Sequence, residues 1–137
     1  MELLVVLSLL SFGVAIALPK LQQSATVKHE ANVRSIAIAF REAQRDAITQ
    51  GAPRAVDVDV HQRTVRYQRT LVRLDQTVAL LAEVAARDAV DDSVVRFVFF
   101  PDGSARGGFL AVQHASVSQR IEVDWLTGVV TVRRIRS

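Results

Sequence analysis

The 137 residues leave room for one domain, or for one domain and one membrane segment. Half are hydrophobic, with a mean hydropathy of +0.22, and cysteine is absent, which excludes disulfides, thiolate metal sites and a cysteine nucleophile. The net charge is +3 and the isoelectric point near 10.2; of the 17 basic residues Lys20 and Lys28 are lysines, leaving 15 arginines, interleaved with acids as on a solvated mixed-sign surface rather than gathered for nucleic acid or membrane.

Leu3 to Leu18 carries no charge. The run approaches the minimum of about 17 residues that cross a bilayer, and it is apolar on every side, unlike a helix that buries one face. Three readings compete. A cleaved signal peptide is suggested by the small-x-small triplet Ala15-Ile16-Ala17, but only Met1-Glu2 precedes the run, with no basic segment. An ordinary anchor has no use for Glu2, since a carboxylate well inside a bilayer costs on the order of 3 kcal/mol unless it is paired or sits among headgroups. In the third reading the run is an anchor in which Glu2 has a purpose.

After Pro19 a helical period resumes. Val33, Ile36, Phe40, Ala43 and Ala47 recur at steps of three and four, with Arg34, Arg41, Glu42, Gln44, Arg45 and Asp46 on the opposite face. Core packing suits this stripe better than a coiled coil, because it covers too few heptads. Gly51-Ala52-Pro53 supplies a stop. One long helix is therefore predicted from the N-terminus to about Gln50, bent at Pro19.

Beyond Pro53 the period falls to two. Val56, Val58 and Val60 alternate with Asp57 and Asp59, and Val65 and Tyr67 with Arg66 and Gln68, across a turn at His61-Gln62-Arg63, which predicts a hairpin. Thr77 to Val84 has helix-forming residues but stands in a strand series and is read as a strand. Val94 to Phe100 is a strand with Val95, Phe97 and Phe99 on one face. The turn Pro101-Asp102-Gly103-Ser104 follows, then strands over Phe109 to Gln113, Ile121 to Trp125 and Val129 to Val132, the last turn being Leu126-Thr127-Gly128. The fold class is α+β, a long helix laid across an antiparallel sheet. Residues 1–19 form the apolar segment and 20–137 the globular domain.

Glu2-Leu-Leu-Val-Val-Leu7, with Pro19 about five turns on, closely resembles the segment after the cleavage site of type IV pilins and pseudopilins. In that family the glutamate is thought to pair with the N-terminal amine of a neighbouring subunit, which makes a buried carboxylate tolerable. Carried over, Glu2 is the assembly residue. The family's basic leader and its Gly-Phe junction are missing, with Met1 in the place of a large apolar residue; either the start lies upstream of Met1, which is the expectation, or the chain is a divergent member. Phe100-Pro101-Asp102-Gly103-Ser104, Gly107-Gly108 and Val123-Asp124-Trp125-Leu126-Thr127-Gly128 resemble the paired turns of the H-type pseudopilin and FimT-like (GspH/FimT) domain. Residues 54–92 carry no distinctive motif.

The resemblance implies a minor pseudopilin of the type II secretion system. Its helix would sit in the bacterial inner membrane as a single pass, with the domain in the periplasm, and then enter the core of a pseudopilus near its tip. The implied partners are other minor and major pseudopilins, the inner-membrane assembly platform and secreted substrate; methylation of the processed N-terminus belongs to the same expectation. FimT-like relatives are associated with DNA uptake through C-terminal basic residues, so Arg133, Arg134 and Arg136 carry the alternative of DNA binding, against the plainer reading of a solvated tail.

Catalytic chemistry is not expected, nor is a cofactor or metal. The Gly103 to Gly108 loop lacks the Gly-Lys-Ser/Thr ending and helix of a phosphate cradle. His29, His61 and His114 lack metal-ligand spacing and are expected at the surface. Asp57 and Asp59 read as the wet side of a strand, Asp88, Asp91 and Asp92 lack a calcium-loop pattern, and Ser104 has no histidine partner.

Overall fold

The computed structural model describes residues 2–84 and 93–136; the side chains of residues 2, 12–26 and 136 lie outside the description, as does the Asp88, Asp91 and Asp92 loop. The chain divides into two compact units, Met1–Ala31 and Asn32–Ser137. Helix α1 runs over Glu2–Gln50, with Pro19 inside the run. Where it ends, Gly51 takes a φ of 65° and Pro53 stands two residues on, so the stop is where turn chemistry places it.

In the second unit, Val33, Ile36, Phe40, Ala43 and Ala47 are all buried, and Ala37 and Ala39 join them. Alanine there lets the helix lie close to the strands beneath it. Among the described residues eight strands follow: β1 Arg54–Asp59, β2 Thr64–Tyr67, β3 Thr70–Arg73, β4 Val78–Val84, β5 Val94–Phe99, β6 Gly108–His114, β7 Val117–Val123 and β8 Val130–Arg136. They form two antiparallel four-stranded sheets, ordered β3-β2-β1-β5 and β4-β6-β7-β8. The expected meander over the last three strands is present, but the single expected sheet is two. β5 leaves its sequence neighbours and pairs with β1, from Arg54↔Phe99 to Asp59↔Val94, while β4 pairs with β6.

One core serves both sheets. Phe40 places its ring 4.9 Å from that of Phe97 and 6.3 Å from Phe99, at tilted angles. Val56, Val58, Val65 and Phe97 from the first sheet join Leu80, Leu110, Val112 and Ile121 from the second. Polar side chains on the helix reach each sheet in turn. Tyr67 on β2 donates to Asp46 Oδ2 at 2.6 Å, and Arg41 donates to the Val130 carbonyl of β8 at 3.3 Å. Burial, and then the Asp46 carboxylate, push the Tyr67 hydroxyl up to about 12, so the phenol keeps the proton it donates well into the alkaline range.

Three details depart from the sequence reading. β3 is absent from it, β7 begins at Val117 and ends at Val123 instead of running from Ile121 to Trp125, and β8 extends to Arg136. The first two share a cause. Tyr67↔Thr70 and His114↔Val117 are closed by two-residue turns, Gln68-Arg69 and Ala115-Ser116, in which Gln68 and Ala115 adopt φ of 49° and 53°. Tight hairpins usually announce themselves with Gly, Asn or Asp at such positions, and here neither does. Trp125 and Asp124 fall in the last turn instead of the strand.

Candidate functional site

The Pro101–Ser104 turn and the last turn, which was expected over Leu126–Gly128 and begins at Asp124, come together. Each is closed by its own aspartate. Asp102 Oδ1 accepts from the Ser104 amide at 3.0 Å and from its hydroxyl, while the Phe100 amide donates to the Ser104 carbonyl at 2.9 Å and Gly103 returns a bond to Phe100 at 3.1 Å. Asp124 Oδ1 accepts from the amides of Leu126 and Thr127 at 2.8 and 3.0 Å, and the Gly128 amide donates to the Asp124 carbonyl at 2.9 Å. Donation from Ser104, by hydroxyl and then amide, holds the Asp102 carboxyl below its usual range; the Thr127 and Leu126 amides do the same for Asp124. Both aspartates are therefore turn-forming groups kept ionised.

The turns are also joined to each other. The Ala105 amide donates to the Trp125 carbonyl at 3.0 Å, and Gln44 of α1 donates through Nε2 to the Thr127 carbonyl at 3.2 Å. Gly128 has a φ of 67°, and a Cβ there would run into the Gly103 carbonyl oxygen and the Gln44 amide. A Cβ on Gly107 would stand 2.9 Å from that of Trp125. The glycines thus mark a close approach of two loops, not a cradle for a ligand. Above this pinned backbone Trp125 is 67% exposed and Leu126 64% exposed, with Val129 beside them. Large apolar side chains on a pre-ordered turn lose little entropy on docking, which suits them to a protein contact.

A second exposed apolar surface lies in the first unit. Leu3, Leu4, Val5, Val6, Leu7, Leu9 and Leu10 are all exposed along consecutive turns of α1, so this stretch has no inner and outer face. Among the residues whose side chains are described, no helix is long and apolar enough to cross a membrane; residues 12–26 lie outside that set. Glu2 heads the helix, and neither its side chain nor that of Pro19 is described.

The C-terminal arginines are not a tail, since β8 carries them. Strand alternation sends Arg133 and Arg134 to opposite faces. Arg133 lies 3.8 Å from Glu122, which also takes Arg120 at 3.1 Å, and Arg120 stacks over the Phe109 ring at 3.7 Å. His29 is buried, contrary to the expected surface position; His61 is exposed and His114 half-buried, 3.4 Å from the Thr77 hydroxyl. Helical spacing could have flagged His29, which precedes the Val33 and Ile36 stripe by four and seven residues. Asp57 is held by Arg96 at 2.7 Å, and Asp59 accepts from the Gln62 amide at 2.8 Å. Among the described residues no three metal-binding side chains lie together.

No family model matches the sequence, and no curated protein matches it. Among solved structures, the minor pseudopilin EpsH from the type 2 secretion system of Vibrio cholerae is similar over 78% of this chain and 95% of its own, with a TM-score of 0.58 and 13% identity. The chain therefore has the fold of a minor pseudopilin: a long N-terminal helix packed on antiparallel sheets.

Proposed function

We propose that this chain is a minor pseudopilin-like subunit of a type II secretion system, a structural component rather than an enzyme. The observation that carries this reading is the exposed apolar run from Leu3 to Leu10, on the same helix whose residues from Val33 onward pack into a pseudopilin-like domain. A surface of that kind must be covered by lipid or by other helices. In the proposed cycle it is covered by each in turn. The helix first rests in the inner membrane, with the domain in the periplasm. On assembly it exchanges lipid for the helices of neighbouring pseudopilins, and its apolar character suits both states. Glu2, followed at once by this run, is placed to meet a neighbour's positive N-terminus, where pairing offsets the cost of burial. The exposed Trp125 and Leu126, on their pinned turn, serve as a side contact to another pseudopilin near the filament tip.

The test is secretion in a clean deletion strain beside its complemented control. Secreted enzymes should disappear from the medium and accumulate in the periplasm. Unchanged secretion would overturn the reading and direct attention to a pilus and DNA uptake.

A further inference from the structure

Strand β8 is an edge. Its register with β7 runs from Val123↔Val130 to Val117↔Arg136, and among the described strands its other side has no partner. The Val130 carbonyl is taken by Arg41; beyond it, alternate residues of the edge offer backbone donors and acceptors to an extended chain that can lie beside them. Proteins often blunt such an edge with charge, and β8 carries Arg133, Arg134 and Arg136 with no acid. The blunting is incomplete, because Val132 and Ile135 are 39% and 44% exposed. Alternation puts Val132 and Arg134 on one face, Arg133 and Ile135 on the other, so each face offers one apolar and one cationic side chain beside the exposed backbone. On the neighbouring strand, Glu122 is shared between Arg120 and Arg133.

The charges also select the occupant. A second β8 laid antiparallel in full register would set Arg133 opposite Arg133, and in any register six arginines would share one ribbon with no acid; like charges across a strand pair are destabilising. The chain's other edge strands do little better. β3 contains Arg73 and β5 contains Arg96, neither has an acid, and β4 brings Glu83 alone. We infer that β8 receives, by strand addition, an extended acidic segment of a different protein, with carboxylates opposite Arg133 and Arg134 and small apolar residues beside Val132 and Ile135. The inference stands on the β8 edge alone and does not depend on the filament reading; its test observes β8 directly.

The experiment uses the full chain in mild detergent, labelled for amide NMR, with peptides of about eight residues. One peptide alternates glutamate with valine and threonine, and a second replaces glutamate with lysine. Two further copies of the acidic peptide are N-methylated on one or the other set of alternate residues. The acidic peptide should shift the β8 amides and slow their exchange while leaving β3 unchanged, and the lysine peptide should not. One of the two methylated copies should lose binding, because alternate amides of an added strand face the edge. The Arg133→Ala, Arg134→Ala double variant should bind at least about tenfold more weakly, about 1.4 kcal/mol, with its circular dichroism unchanged. The inference is overturned if β8 amides do not respond to the acidic peptide, or if both methylated copies bind like the parent, which would leave charge attraction alone. Duplex DNA occupying β8 with a steep salt dependence, where the peptide does not bind, would overturn it in favour of nucleic acid.

Discussion

Asp124 shows how one side chain organises the end of the domain. Its carboxylate holds the amides of Leu126 and Thr127, and this keeps Trp125 and Leu126 on a fixed, outward turn. Asp102 does the same for the facing turn. Both carboxyls titrate below their ordinary value, so the folded chain binds fewer protons than the unfolded one in that range. Their contribution is complete above the ordinary aspartate value of about 3.9 and is lost as pH falls through the lowered folded value. Carboxyl NMR should show Asp124 titrating below the ordinary aspartate value of about 3.9. Urea midpoints should fall more steeply on acidification for the parent than for Asp124→Asn. Equal slopes would mean that the carboxylate does not shape the turn.

At the scale of elements, the join between α1 and the sheets depends on Phe40. It is fully buried and faces Phe97 and Phe99. Phe40→Ala would open a cavity where the surrounding strands are tied by their ladders and cannot collapse inward, so the loss should be about 3–5 kcal/mol. Urea unfolding of the full chain in detergent, followed by circular dichroism, measures it. A cost below about 1 kcal/mol would mean that helix and sheets part more readily than the packing implies. Arg41 and Gln44, which bond to carbonyls at Val130 and Thr127, tie the same helix to the second sheet, so damage at Phe40 should spread to the Asp124 turn.

For the whole molecule, the proposed role joins two surfaces of different chemistry: an apolar helix start with no preferred face, and a domain end with a pinned aromatic. Glu2 is the point at which the proposal is most exposed to test. Glu2→Gln removes the charge and keeps the size, so the domain's circular dichroism and urea midpoint should match the parent while secretion falls in a complemented deletion strain. Full secretion by that variant would remove Glu2 from assembly and leave the helix as an anchor only.

Residue types and their periods determined much of this protein. The steps of three and four from Val33 to Ala47, the stop at Gly51-Ala52-Pro53 and the alternation from Val94 to Phe99 are local, and each element formed where its pattern called for it. The turns at Pro101–Ser104 and Leu126–Gly128 were legible too, because turn formation needs particular side chains at particular places, though the second one takes in Asp124 and Trp125 as well. Only the tertiary structure decided which strand lies beside which. The sequences of β4 and β5 carry similar alternation, and nothing local sends one to β6 and the other to β1; that choice depends on which pairing lets Phe97 and Phe99 meet Phe40. β3 stayed hidden because its turn uses Gln68 at positive φ, a conformation that the surrounding pairing imposes. The meeting of Gly103 with Gly128, and the turning of the C-terminal arginines into an edge strand, belong to the same class: they follow from contacts between residues distant in sequence, which a local pattern does not encode.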